Sequence, residues 1–155
     1  PISEDNFFVI GISDVNFRSR VIDKIKVQGG KFINIIHPSS IIAETAILGK
    51  GNIINPQCII SPNVRIGDYN LLTSQSVISH DSVLGNKNVL STALVCEHVK
   101  VGDNNILSIL STVIPHVSIG NRNTIQAGMI VDKNVKDNSV VFHRFKEKVI
   151  AIKNS

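Results

Sequence analysis

LGKGNI at Leu48–Ile53 returns along the chain as IGDYNL, LGNKNV, VGDNNI and IGNRNT, which begin at Ile66, Leu84, Val101 and Ile119. In each copy Gly is second and Asn is fifth, and successive copies begin 18, 18, 17 and 18 residues apart. Neither an amphipathic helix nor an alternating strand produces this spacing, because their periods are about 3.6 and 2 residues. The recurrence therefore indicates a solenoid.

Between these copies the chain continues in units of six residues that open with an aliphatic residue. In this frame, counted from Ile42, only the unit Cys96–Lys100 opens with another residue, and only this unit is one residue short. Six residues fit one face of a triangular prism whose coils stack at about 4.8 Å. We expect the aliphatic residue to point inward, and Gly and Asn to supply the tight or left-handed backbone of the corners. The predicted fold is an all-β solenoid, a left-handed parallel β-helix of hexapeptide repeats.

Residues 1–37 have a different pattern, which predicts a partial α/β domain. Phe7–Ile12 resembles a buried strand, Val15–Val27 an amphipathic helix that ends before two glycines, and Phe32–Ile36 a second strand. Together they make one βαβ unit, which is too small to fold alone. This unit is expected to precede the β-helix.

The other two predicted segments are the β-helix domain at 38–141 and a C-terminal tail at 142–155. The tail mixes aromatic and basic residues. The end of a solenoid otherwise exposes unpaired strand edges, so we expect the tail to cap the last coil.

The composition argues against a nucleic-acid-binding protein. The chain has 155 residues, of which 43% are hydrophobic, and a net charge of +4 without a basic stripe interleaved with aromatic residues. A nucleotide or coenzyme A fits this balance better than nucleic acid. No signal peptide or long apolar run is present, so we expect a cytoplasmic protein with no membrane partner. Cys58 and Cys96 occupy inward places about two coils apart, which argues against a disulfide.

Three histidines, His80, His98 and His116, follow one another at coil spacing. His80 takes the third, outward place of ISHDSV beside Asp81, where an imidazole can act as a general base and a carboxylate can fix its tautomer. A solvated surface residue is the alternative that spacing alone favours. In this frame His98 holds the same third place one coil later, and His116 the fourth. No metal is expected, because a ladder on one face aims its side chains in parallel.

The order of motifs is distinctive. IIHPSS at Ile35–Ser40 precedes the repeats, VISHDSVLG follows at Val77–Gly85, and Val113–Pro115 comes shortly before Ile119–Gly120. Over about residues 7 to 141 this order resembles the sugar acetyltransferases of the PglD and NeuD type. The resemblance implies a left-handed β-helix that transfers acetyl groups from acetyl-CoA to amino sugars on nucleotide carriers, or to sialic acids.

The resemblance also implies a site, position by position. It places the catalytic base at His80 and its acidic partner at Asp81. It implies that the coenzyme lies between subunits of a homotrimer along Ile109, Ala127 and Gly128. In that arrangement His80 accepts the proton of a substrate amine or hydroxyl as it attacks the thioester, and a backbone N–H holds the oxyanion.

The chain departs from the family at four places. A second histidine often found nine residues after the catalytic one is Val89 here. A glycine that supplies the oxyanion N–H falls in the deletion between Cys96 and Val99, so we expect His98 to occupy its space and to bind substrate or the oxyanion. The family's Gly-x-Pro-Ala turn near the coenzyme is replaced by residues 142–145. The glycine-rich nucleotide-sugar loop of the N-terminal domain is absent.

Three functions remain after this comparison of motifs. The leading one is acetyl-CoA-dependent N-acetylation of a nucleotide-linked amino sugar for the synthesis of a surface polysaccharide or glycan. The second is O-acetylation of a free sugar or sialic acid, for which the missing nucleotide loop would be natural. The third is a catalytically silent trimeric β-helix scaffold, which the lost oxyanion glycine would predict.

Overall fold

An N-terminal βαβ unit forms, but its strands differ in extent from those predicted. Residues 2–3 and 5–143 are described by the structure, a computed structural model. Strand β1 (Phe7–Phe8), helix α1 (Val15–Val27) and strand β2 (Lys31–Phe32) come first, and β1 pairs with β2 in parallel. The side chain of Asp14 caps α1 by accepting the N–H of Phe17. Within the described residues, no helix is long and apolar enough to cross a membrane.

The rest of the described chain is a three-sided parallel β-solenoid of about six turns, which matches the predicted left-handed β-helix. Each strand has two residues. In chain order they are β3 (Ile35–Ile36), β4 (Ile41–Ile42), β5 (Ile47–Leu48), β6 (Ile53–Ile54), β7 (Ile59–Ile60), β8 (Arg65–Ile66), β9 (Leu71–Leu72), β10 (Val77–Ile78), β11 (Val83–Leu84), β12 (Val89–Leu90), β13 (Leu94–Val95), β14 (Lys100–Val101), β15 (Ile106–Leu107), β16 (Thr112–Val113), β17 (Ser118–Ile119), β18 (Thr124–Ile125), β19 (Ile130–Val131) and β20 (Val140–Val141).

From β3 to β19, every third strand joins the same sheet, and β20 then pairs with β18. Face 1 contains β3, β6, β9, β12, β15, β18 and β20, face 2 contains β4, β7, β10, β13, β16 and β19, and face 3 contains β5, β8, β11, β14 and β17. The strand predicted over Phe32–Ile36 is wrong, because β2 pairs with β1 whereas Ile35–Ile36 pairs with Ile53–Ile54 in face 1. The solenoid therefore begins at Ile35. Most of the tail predicted to cap it, from residue 144 onward, lies outside the described residues.

The aliphatic residue that opens each unit points inward, as predicted. Ile60, Ile78 and Leu90 are examples, each less than 2% exposed. The fifth place also points inward and carries Val, Cys, Ser, Asn, Ala or Met. The core is therefore a stack of similar layers, each small enough for the triangular section of the prism.

The role predicted for the recurring Gly and Asn is wrong. In most units between Gly51 and Gly128, the residue with left-handed backbone is the fourth. Most of these fourth residues are not glycine. Asp81, with φ of 59°, and Lys87, with φ of 57°, are examples. The second-place glycines are required by close approach instead. A Cβ on Gly85 would lie 2.7 Å from the carbonyl oxygen of Gly102 in the next coil.

The fifth-place asparagines form a buried ladder. Asn88 donates its backbone N–H to Oδ1 of Asn70 at 2.8 Å, and its own Oδ1 accepts the N–H of Asn105 at 2.8 Å. These side chains are fully buried, so each pairs a backbone group that water cannot reach. The ladder fixes the register of successive coils at the corner between faces 3 and 1.

Replacing Asn88 by alanine is expected to lower the free energy of unfolding by about 1–3 kcal/mol, because the buried N–H of Asn105 loses its acceptor. Urea unfolding followed by circular dichroism measures the change. Asn16→Ala is the control, since Asn16 is exposed on α1 and should change stability little. Equal losses in both variants would contradict the role assigned to the ladder.

The short unit lies one corner earlier than predicted. Strand pairing aligns Leu72, Leu90 and Leu107, and separately Ile78, Val95 and Val113. The five-residue unit is therefore 90–94, and the unit after it has its full six residues and an aliphatic anchor in Val95.

The short corner is closed by Thr92. This residue adopts the left-handed conformation with φ of 47°, and the side-chain oxygen of Thr73 accepts its N–H at 3.0 Å. As a result Cys96 takes the second place and is only half-buried, so its predicted inward place is wrong. Cys58 and Cys96 are both free thiols.

Helix α1 covers face 1. Val15 packs with Leu71 and Val89, while the buried Arg18 donates hydrogen bonds to the carbonyl oxygens of Ile10 and Tyr69. Burial lowers the pKa of Arg18 to about 10. Faces 2 and 3 lack such a cover within the described residues, and they present aliphatic side chains to solvent. His80 and Asp81, the pair predicted from the sequence, lie at the corner between these two faces.

Candidate active site

His80 and Asp81 project from the corner between faces 2 and 3. Ile78 and Ser82 of the same unit are buried, and this anchoring turns the third and fourth residues outward. Nδ1 of His80 lies 2.8 Å from Oδ2 of Asp81, and the two side chains are 53% and 39% exposed. The predicted His–Asp pair therefore forms, and it is open to a ligand.

Asp81 is held in place by the coil below. Its Oδ1 accepts a hydrogen bond of 3.0 Å from Nδ2 of Asn63, and its backbone N–H donates to the carbonyl of Pro62. The hydrogen bond from His80, followed by that from Asn63, holds the pKa of Asp81 below its usual value. An ionised carboxylate at Nδ1 favours the tautomer with the proton on Nδ1. Nε2 of His80 then carries a free lone pair, as a general base requires.

The structure does not place His98 in the column of His80, so this prediction is wrong. Because the short unit precedes Val95, His98 is fourth in its unit and follows Asp81, while Glu97 follows His80. The backbone N–H of His98 donates to the carbonyl of His80 at 3.2 Å, one coil above it. The deletion lies at another corner, so His98 does not fill a space that the deletion left.

His98 nevertheless contacts the His–Asp pair. Its ring meets that of His80 edge to face, with centroids 5.6 Å apart, and stacks on the ring of His116 at 5.0 Å and 6°. His98 and His116 share the left-handed fourth place, with φ of 56° and 65°. His80 is thus bordered by a carboxylate on one side and by an imidazole on the other.

His80, Asp81 and His98 are also the residues of this corner that could hold a metal ion. Their ligand atoms lie within 4.8 Å of one another. A structural zinc site usually has four protein ligands and a catalytic one three. Nδ1 of His80 is moreover already bonded to the carboxylate. The arrangement fits a carboxylate-oriented base better than a preformed metal centre.

A cleft of about 330 Å³ lies beside the pair on the side of the preceding coils. It is lined by Thr45, Ile47, Asn63, Arg65, Asp81 and Val83. Sequence reasoning missed this cleft, although the signal was available: Asn63 and Arg65 stand 18 residues before Asp81 and Val83 and therefore lie directly beneath them.

The residues implied for the coenzyme lie at a different corner. Ile109, Ala127 and Gly128 stack between faces 1 and 2, where the N–H of Gly128 donates to the carbonyl of Ile109 at 2.9 Å. Ile109 is 55% exposed, and the space beside Gly128 is open. Within one chain, face 2 separates these residues from His80. The structure therefore does not bring the two groups together inside a single subunit.

A left-handed β-helix of hexapeptide repeats with a His–Asp pair on one corner places the chain among proteins with the fold of the PglD and NeuD type of sugar acetyltransferase. PerB from Caulobacter crescentus, in complex with CoA and GDP-perosamine, has a TM-score of 0.84 and 27% identity over 87% of this chain and 66% of its own. A variant of perosamine N-acetyltransferase from the same organism, with one histidine replaced by asparagine, has a TM-score of 0.83 and 25% identity over 87% of this chain and 65% of its own.

A third neighbour extends the likeness of fold. The acetyltransferase domain of PglB from Neisseria gonorrhoeae FA1090, in complex with acetyl coenzyme A, has a TM-score of 0.80 and 16% identity over 85% of this chain and 65% of its own. No protein-family model and no curated protein sequence matches the chain. The chain spans just under two thirds of the length of these three proteins. The resemblance inferred from the sequence motifs is confirmed by these neighbours.

Proposed function

We propose that this chain belongs to an acetyl-CoA-dependent acetyltransferase that acetylates the amino group of a nucleotide-linked sugar. The observation that carries the proposal is the 2.8 Å contact between Nδ1 of His80 and Asp81 on an exposed corner. PerB, whose complex contains both CoA and GDP-perosamine, supplies the substrate classes. Synthesis of a surface polysaccharide or glycan is the setting in which such a product is used.

The proposed reaction needs only one base. The sugar amine attacks the carbonyl carbon of the acetyl thioester, and Nε2 of His80 accepts the proton that the amine loses. Asp81 stabilises the imidazolium that forms. The tetrahedral intermediate then collapses to the amide, and the leaving coenzyme A sulfur takes the proton from His80. His98, whose ring borders that of His80, is proposed to contact the substrate or the oxyanion.

A homotrimer would complete this site. Face 2 exposes a column of aliphatic side chains that includes Ile59, Leu94 and Ile130. Packing this face against a neighbouring subunit would bury apolar area and bring Ile109, Ala127 and Gly128 of one subunit toward His80 of another. The proposed coenzyme groove therefore lies between subunits. A coenzyme A thioester as co-substrate agrees with the cytoplasmic location expected from the sequence.

Binding of coenzyme A, measured by calorimetry, is the first test of this function. We expect Ile109→Glu to weaken binding at least about tenfold, because it replaces an apolar contact by a charge that repels the anionic coenzyme. Val27→Glu is the matched control, since Val27 is an exposed aliphatic residue on α1. Absence of binding by the unmodified protein would favour the scaffold.

Release of free thiol from acetyl-CoA then separates the two enzymatic functions. Amino-sugar nucleotides and free sugars, including a sialic acid, serve as acceptors. The proposal predicts turnover with the amino-sugar nucleotides. Turnover confined to hydroxyl groups of free sugars would support O-acetylation instead.

A further inference from the structure

The cleft beside Asp81 contains a cation that the reaction itself does not use. Arg65 projects outward from face 3, directly beneath Val83 of the next coil. It is exposed, and the structure records no side-chain hydrogen bond or ion pair for it with the other described residues. Among the residues that line the cleft it is the only basic one. An unpaired guanidinium in a concave site is suited to bind a planar or tetrahedral anion.

The remaining lining adds hydrogen-bond donors but no competing free anion. Asp81 is already bonded to His80 and to Nδ2 of Asn63. The oxygen of Thr45 accepts the backbone N–H of Asn63, and its hydroxyl hydrogen remains able to donate. Ile47 and Val83 form an apolar wall. One end of the cleft therefore carries a positive charge, and the other end opens at the catalytic pair.

We propose that Arg65 binds the diphosphate of the nucleotide-linked substrate and so positions the sugar ring against His80. This inference rests on the proposed function and adds to it a specificity-determining residue. Arg65 lies one coil below the His–Asp pair, at a rise of about 4.8 Å, and it is also displaced along the face because it lies beneath Val83, two residues after Asp81. A sugar ring with its amine at Nε2 of His80 can extend across this distance to a diphosphate at Arg65.

Coenzyme A also carries phosphates, so the same chemistry has two sources. The position of Arg65 along the solenoid axis favours the nucleotide-linked substrate over coenzyme A. The cleft occupies the coil of Asp81 and the two coils that precede it, at the corner between faces 2 and 3 and on the adjoining strands of face 3. The residues proposed for the coenzyme belong to later coils, at the corner between faces 1 and 2. A phosphate on Arg65 therefore lies on the opposite side of His80 from the proposed coenzyme groove along the solenoid axis.

The test compares Arg65→Gln with the unmodified full chain. Calorimetry with inorganic pyrophosphate, UDP and GDP measures anion affinity directly. We expect the variant to weaken the best of these ligands about 10- to 100-fold, as for loss of a charge-assisted bidentate contact. It should also raise KM for the amino-sugar nucleotide by a similar factor, with kcat and the affinity for coenzyme A nearly unchanged. Arg65→Lys should recover only part of the loss.

Arg20→Gln is the control for the loss of one positive charge, because Arg20 is exposed on α1, away from the cleft. Turnover without an effect of Arg65→Gln on KM or on anion affinity would overturn the subsite and leave the proposed function intact. Arg65-dependent pyrophosphate binding without turnover of any acceptor would support an anion subsite at Arg65 and contradict the proposed acetyltransferase function. A loss of affinity for coenzyme A alone would assign Arg65 to the coenzyme and overturn the proposal.

Discussion

Replacing His80 by alanine is expected to lower kcat/KM for acetyl transfer by about 10²–10⁴-fold, the usual contribution of a positioned general base. The amine must lose a proton as the amide forms, and Nε2 of His80 is the acceptor that the proposed mechanism provides. His80 is 53% exposed and is not part of the core, so the fold and the affinity for coenzyme A should be retained. Thiol release and calorimetry on the same preparations measure these two quantities separately.

The control for this prediction is His37→Ala. His37 is exposed and its ring bonds to Ser39 in the first coil, so its loss should leave turnover unchanged. Asp81→Asn should give an intermediate loss, because an amide keeps the shape of the carboxylate but not the charge that stabilises the imidazolium. Full activity of His80→Ala would show that another group takes the proton.

His98→Ala separates two roles for the second imidazole. If His98 binds substrate or the oxyanion, its removal should lower turnover well beyond the effect of His37→Ala. If its ring only stacks between His80 and His116, turnover should remain close to that of the unmodified protein. Unchanged turnover in His98→Ala together with a loss in His80→Ala would contradict the role proposed for His98.

The sequence was sufficient for the architecture because the architecture is periodic. An aliphatic residue every six positions predicts three flat faces, and burial of Ile60, Ile78 and Leu90 follows from it. The outward place of His80 and its contact with Asp81 also follow, because adjacent third and fourth residues share one corner. These predictions depend only on the position of a residue within its own unit.

Relations between coils were harder to predict, because they depend on where the repeat is interrupted. From the sequence, either Val95 or Cys96 could open a unit. If Cys96 opens it, His98 is third and lies in the column of His80. If Val95 opens it, His98 is fourth and lies in the column of Asp81. Strand pairing decides for Val95. The sequence pattern also did not distinguish a residue with positive φ from one that allows close approach, and so the glycines received the wrong role.

The cleft at Arg65 was missed for a related reason. Its lining comes from three successive coils and only two places in each unit, so its residues are scattered along the sequence and form no contiguous motif. Reading the chain in 18-residue columns beneath Asp81 and Val83 would have found Asn63 and Arg65. A motif search within one unit detects the His–Asp pair, whereas a search along columns detects the cleft.

Replacing Gly85 by alanine should cause one of the largest losses of stability in this chain, at least about 3 kcal/mol. The new Cβ would lie 2.7 Å from the carbonyl oxygen of Gly102 and would also meet the carboxylate of Asp103. The carbonyl belongs to the backbone of the next coil, so relief requires two coils to move apart. That movement would lengthen the hydrogen bonds of the adjoining Asn88 ladder.

Two other glycines separate steric overlap from conformational strain. At Gly11 the nearest atom to a new Cβ is Cδ1 of Ile53 at 4.0 Å, and φ is not positive, so Gly11→Ala should be nearly neutral. At Gly128 the space is open but φ is 69°, so Gly128→Ala should cost about 1–2 kcal/mol from backbone strain alone. Urea unfolding of the three variants should therefore rank Gly85→Ala as most damaging, Gly128→Ala second and Gly11→Ala last. If Gly128→Ala destabilised the protein most, the main reason for glycine at these positions would be a positive φ. Close approach of successive coils would then be the lesser reason.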